Sequence, residues 1–333
     1  MKISRRGIWA AMAAALLGIS SMASPAHAQL SSGAGSSEAD LKFFSEMSSA
    51  LLDALGGGGG AGAPSVPSLP SNPFVPSQTV TKATTVWGKD RTYHIVLPAG
   101  FDRSVSYPVI FGFGGWQHNA TRTRAYEKLE TAAGSRAIVV YPEADASKGT
   151  PAWAGAPYSG TQISEDVQFI RNIVNDLAAN YGGDRFRVYA AGLSNGGGMA
   201  LALGCHAPNL VKGVAGVAGA YYNPTVSNCV GGSVKTLIMH SKQDDVVQYG
   251  GGTRHGAPYK GVPAVYYETG LRNRCNVSAA APKRVGNTEI FQHSGCVAPT
   301  KLMKIDSTGA EYPGHTWFNN PSATYEVVNF FLN

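Results

Sequence analysis

From about Thr79 to the C-terminus, short apolar runs rich in β-formers alternate with longer helix-like stretches, and that alternation leaves few architectures open. Tyr93–Leu97, Val109–Phe113, Ala137–Tyr141, Arg187–Ala191 and Val234–His240 read as strands. Arg122–Ala133, Ile163–Tyr181, Gly196–Cys205, Gly261–Arg274 and Ala323–Leu332 read as helices. Strand–helix alternation sustained over residues 79–333 predicts an α/β fold, a mostly parallel central sheet covered by helices on both faces. No internal repeat is visible, so this stretch is expected to be one domain.

The N-terminal part has a different character. Lys2, Arg5 and Arg6 precede an apolar run from about Ile8 to Ile19, and Ala26-His27-Ala28 supplies a small-residue cleavage site. These are the three parts of a signal peptide, expected at residues 1–28 and cleaved after Ala28, by the Sec or the twin-arginine route. The run is short for a bilayer span, and no transmembrane segment is expected. Residues 29–55 form a tail in which Leu41, Phe44, Met47, Leu51, Leu52 and Leu55 recur at the spacing of one amphipathic helix. Residues 56–78 are a Gly/Pro-rich spacer, with Pro64, Pro67, Pro70, Pro73 and Pro76 at the three-residue period of polyproline II.

Chemistry enters at Gly192-Leu193-Ser194-Asn195-Gly196, a G-x-S-x-G string that a glycine-rich chain also produces by chance. Its setting is more specific, because Arg187–Ala191 reads as a strand and Gly197–Leu203 as a helix. A strand–turn–helix elbow of this kind exposes a serine Oγ at its tip and puts the following N–H at a helix N-terminus. A serine hydroxyl needs a base and an orienting acid, and on such an elbow the acid and then the histidine follow in chain order. His315, in a loop before the final helix, is the favoured base, with His255 and His293 as rivals. His240 ends a strand and is expected to support the acid loop, and His206 follows the elbow too closely. Asp244, just beyond the strand Val234–His240, is the favoured acid, with Asp245 beside it as the alternative. Asp306 lies close to His315, while Asp166 and Asp184 precede the serine and are assigned to capping or pairing.

An oxyanion needs two donors. Asn195 N–H is one, and the Gly-rich run Phe111–Trp116 offers a second from Gly115 or Trp116, with Gly115 favoured. Trp116, Trp153, Tyr158 and Trp317 fall in loops able to wall a substrate pocket. Cys205, Cys229, Cys275 and Cys296 are an even set behind an export signal. Sequential pairing, Cys205–Cys229 and Cys275–Cys296, closes two short loops. No metal-ligand spacing is present, and no metal or other cofactor is expected.

Several ordered blocks add up: Gly114-Gly115, Val139–Pro142, Asp166–Ile170, Gly192–Gly197, Asp244 with Val246-Val247, and Gly314–Trp317. Over about Lys82 to Asn333 the chain resembles the secreted α/β-hydrolase esterases grouped with poly(3-hydroxybutyrate) depolymerases and feruloyl esterases. That resemblance implies an α/β-hydrolase fold, a Ser194–His315–Asp244 triad and a bridge between Cys275 and Cys296. Phe113-Gly114 stands where the family usually has His-Gly, and Asp245 where Pro usually follows the acid. The implied activity is hydrolysis of a carboxylic ester, with polymeric and polysaccharide-linked esters among the substrates the resemblance covers. The alternative is an inactive hydrolase-like secreted binding protein. The formal charge of +6 survives removal of residues 1–77, because the +3 leader and the −3 tail cancel. No nucleic-acid motif accompanies that charge, so no nucleic-acid partner is expected.

Overall fold

The computed structural model describes residues 77–278, 281–309 and 314–333. The expected signal peptide, tail helix and nearly all of the spacer lie outside the described residues. The chain enters through an antiparallel pair, β1 (Thr79–Val86) and β2 (Lys89–Val96). After β3 (Tyr107–Phe113) come α1 (Ala120–Glu127), α2 (Leu129–Ala133) and β4 (Ile138–Pro142). The elements α3 (Ile163–Asn180), β5 (Gly183–Leu193), α4 (Asn195–His206), β6 (Gly213–Val217), α5 (Asn223–Val226) and β7 (Lys235–Ser241) follow. A separate hairpin of β8 (Gly251–Arg254) and β9 (Ala257–Lys260) precedes α6 (Val262–Arg272). Then β10 (Lys283–Val285), β11 (Thr288–Gln292), β12 (Thr300–Ile305) and α7 (Ala323–Leu332) complete the described elements.

Ten strands form one sheet in the order β1-β2-β4-β3-β5-β6-β7-β12-β11-β10. The middle six, β4 to β12, run parallel, and both ends of the sheet are antiparallel. Such a sheet is covered on both sides, and its strands are apolar on both pleat faces. Val109, Phe111 and Phe113 of β3 point into one core with Phe169 and Ile173 of α3 and Met199 of α4. Ile110 points into the other core, with Leu129 of α2 and Val327, Val328 and Phe331 of α7. This is the α/β-hydrolase architecture.

The helix expected over Arg122–Ala133 is broken in two. Lys128 takes a left-handed conformation, φ 46°, at the joint, where Glu127 C=O turns out to accept a 2.6 Å bond from Thr324 Oγ1 of α7. β1, β6 and the short strands β8 to β12 were not anticipated. β6 is Gly-Val-Ala-Gly-Val, too small and too glycine-rich to signal a strand, yet wholly buried between β5 and β7. Both disulfides pair as expected, Cys205 with Cys229 and Cys275 with Cys296. Among the described residues no helix is long and apolar enough to cross a membrane.

Candidate active site

Ser194 stands at the joint between β5 and α4 with φ 56° and ψ −117°, a region an L-residue enters only when its surroundings enforce it. The enforcement is visible. Ser194 N–H donates to Val217 O at 3.0 Å, and Ser194 O accepts from Gly198 N–H at 3.0 Å and Ala220 N–H at 2.8 Å. Gly196 must lack a side chain, because a Cβ there would strike the carbonyl oxygen of Phe113 on β3. The turn is therefore tight enough to lift Oγ off the carboxyl edge of the sheet.

Asp244 lies just beyond β7, and His315 lies in the connection from β12 to α7. Gly314, at φ 98°, lets that connection press on the acid loop, since a Cβ there would lie 2.5 Å from Asp244 Cα. His315 Nδ1 is 2.9 Å from Asp244 Oδ2. A carboxylate facing Nδ1 keeps the proton on that nitrogen and leaves Nε2 as the basic atom. The same Oδ2 lies 3.1 Å from His240 Nε2, and Oδ1 accepts from Val246 N–H at 2.9 Å and Val247 N–H at 2.8 Å. Burial pushes the Asp244 carboxyl up, but hydrogen bonds from His240 and His315 outweigh it and hold the group well below the usual carboxylate range. Asp245 is exposed.

The other candidates separate cleanly. His206 reaches Pro224 O at 2.9 Å, and His293 stacks on Tyr266, ring centroids 4.0 Å apart, neither beside Ser194. His240 is fully buried and also bonds Val247 O at 2.8 Å, so it braces the acid loop. His255 does reach the site, at the tip of the β8–β9 hairpin, where it packs edge-on against Trp116 and Tyr158. Asp306 bonds Gln243, Asp166 pairs with Arg91, and Asp184 pairs with Arg187.

Ser194 and His315 line one cavity of about 270 Å³. Among the described residues no hydrogen bond joins them, a looseness common in unliganded sites. Asn195 spends its side chain elsewhere: Oδ1 accepts from Trp153 N–H at 2.7 Å and Nδ2 donates to Trp153 O at 3.1 Å. Its backbone N–H opens α4, and the carbonyl four residues back, that of Ala191, belongs to β5 and not to the helix. Gly115 lies beside Ser194, since a Cβ there would lie 3.5 Å from Ser194 Cβ, and its N–H points at Tyr126 Oη at 3.4 Å. Trp116 lines the cavity and stacks on Tyr158, centroids 4.6 Å apart. Trp153 requires correction: it is fully buried against Phe113 and does not line the cavity, its loop being clamped inward by Asn195. Trp317 is buried too, bonding Thr324 Oγ1 at 3.0 Å, and it lines an adjoining cavity of about 610 Å³ that His315 shares.

Sequence reasoning missed His118, Arg122, Tyr126, Tyr222 and Arg254. His118 Nδ1 lies 3.3 Å from Tyr126 Oη. Burial, aided by the nearby Arg122 and His315, pushes the His118 ring down to about 4, so it is neutral near pH 7. Only its place three residues after Gly115 could have drawn attention to it. Among the described residues no group of three His, Cys, Asp or Glu side chains could hold a metal.

Residues 84–250, half of the chain, match the family described as "Putative esterase". That span contains Ser194 and Asp244 and stops short of His315. The chain is 26% identical over 224 residues to "Probable feruloyl esterase C" of Aspergillus clavatus, covering 65% of this chain and 74% of that protein. It is 30% identical over 178 residues to "Feruloyl esterase D" of Neurospora crassa, covering 51% of this chain and 58% of that protein. Among solved structures, an acetyl xylan esterase from Aspergillus awamori superposes with a TM-score of 0.53 at 14% identity, covering 75% of this chain and 99% of that one. That likeness establishes the shared fold.

Proposed function

The chain belongs to the esterase family and is a carboxylic ester hydrolase; we propose that it works through an acyl-enzyme on Ser194, with His315 and Asp244 completing a triad. Ser194 Oγ attacks the ester carbonyl as His315 Nε2 takes its proton, and the same nitrogen then protonates the departing alcohol. Water, activated by His315, releases the acid. Asp244 keeps the imidazole in the Nδ1–H tautomer and stabilises the imidazolium. The N–H groups of Asn195 and Gly115 receive the oxyanion, for which Gly115 N–H must leave Tyr126 Oη. The 2.9 Å approach of His315 Nδ1 to a buried Asp244, beside a cavity that Ser194 also lines, is the observation that carries this reading.

Relatives named as feruloyl esterases and a wall of Trp116, Tyr158 and His255 favour an ester with a flat aromatic part, free or attached to a polysaccharide. The proposed layout is a leader at 1–28, a tail at 29–55, a spacer at 56–78 and a catalytic domain at 79–333, exported and cut after Ala28. Edman sequencing of the exported protein checks that cut. A fluorophosphonate probe tests the nucleophile: peptide mapping should find the adduct on Ser194. An unlabelled protein would instead be a binding protein of hydrolase fold.

A further inference from the structure

Two arginines border the cavity that holds Ser194. Arg122 sits in the first turn of α1, close enough to His118 to depress its protonation, and Arg254 ends β8 beside Tyr158 and Tyr222. Among the described residues neither guanidinium has a hydrogen-bond or salt-bridge partner, and no Asp or Glu side chain lines the cavity. Other arginines, such as Arg91, Arg124 and Arg187, are matched by Asp166, Glu130 and Asp184. The cavity is also lined by Trp116, Tyr158, Tyr222 and His255, which pack on one another and carry no negative charge. A cleft with walls of low polarity and charge of one sign focuses its field on an entering ligand, and a guanidinium pairs with a carboxylate through two parallel hydrogen bonds.

We propose that the ester this site selects carries a carboxylate, held by Arg254 or Arg122 while its ester carbonyl lies at Ser194. This rests on the hydrolase reading above and narrows its substrate class. The carboxylate could belong to the acyl part or to the alcohol part, and the two sides are separable because the arginines have different neighbours in the cavity. Arg254 lies beside Tyr158 and Tyr222 of the aromatic wall; Arg122 lies beside His118 and, with His315, also lines the adjoining cavity.

The test uses matched ester pairs with full-length protein at low and high salt. On the acyl side, the mono-4-nitrophenyl ester of adipic acid is compared with that of adipic monoamide. On the alcohol side, 4-acetoxybenzoate is compared with 4-acetoxybenzamide. In at least one pair the anionic member should have the higher kcat/KM, by roughly 5- to 30-fold at low salt, shrinking toward unity in 1 M salt. Arg254→Gln or Arg122→Gln should collapse that ratio, and which one does so identifies the arginine that reads the anion. Equal or lower kcat/KM for both anionic esters, with the neutral ones hydrolysed, would overturn the proposal and leave the hydrolase reading intact. Failure to hydrolyse any of the four, with no fluorophosphonate labelling, would overturn the hydrolase reading itself.

Discussion

Asp244 serves two imidazoles at once, and that double duty defines the site at the scale of single residues. Oδ2 faces His315 at 2.9 Å and His240 at 3.1 Å, while two backbone N–H groups fix Oδ1. An amide in its place would present N–H to one imidazole N–H or the other and invert a tautomer. Asp244→Asn should therefore lower kcat by about 10³–10⁴ with little change in fold, checked by steady-state kinetics and circular dichroism. His118 makes a second prediction. Its ring is held at about 4 against an ordinary 6.5, so as pH falls the unfolded chain takes the proton first. Stability is thus full above about 6.5 and declines as pH drops toward 4. Urea denaturation of His118→Gln at pH 7 and 4.5 should show a smaller loss than the parent shows. The strained turn at Ser194 and the pairing of His315 with Asp244 were legible because elbow motif and chain order are properties of sequence. Trp153 was misread because a loop tryptophan can turn inward or outward, and the hydrogen bonds of Asn195 that turn it inward are long-range.

At the scale of elements, the elbow depends on a structure three strands away. Arg91 of β2 is buried and pairs with Asp166 in the first turn of α3 at 2.9 Å. Asp166 also accepts from Ala154 N–H at 2.8 Å, one residue from the Trp153 backbone that clamps Asn195. Replacing Asp166 by Asn strands a buried guanidinium and should cost about 3–5 kcal/mol, measured by chemical denaturation. The parallel strands were legible wherever β-branched and aromatic residues ran together, as in β3 and β4. β6 was not, because in a strand squeezed between two neighbours small residues win over β-propensity. The β8–β9 hairpin was missed for another reason: Gly251–Lys260 has only Ala257 and Tyr259 turned to a small buried cluster, too few to signal strands, and it brings Arg254 and His255 to the cavity.

Over the whole molecule, the sheet carries the site at its carboxyl edge and the disulfides fasten the side of the fold built from α4 to β12. Cys275–Cys296 joins the segment after α6 to the one before β12, closing a loop with a sequence separation of 21. Changing both cysteines to serine should cost about 2–4 kcal/mol of stability while leaving ester hydrolysis intact, since neither lines the cavity. Two of the domain's positive charges, Arg122 and Arg254, line the cavity that holds Ser194, a placement the formal +6 of the composition does not reveal.

The central claim, that Ser194 is the nucleophile of an acyl-enzyme, is tested most directly by kcat/KM for 4-nitrophenyl butyrate with the parent protein and with Ser194→Ala. A fall of about 10⁴-fold or more in a variant that remains folded is the predicted result. Hydrolysis by Ser194→Ala at the parent rate would contradict it.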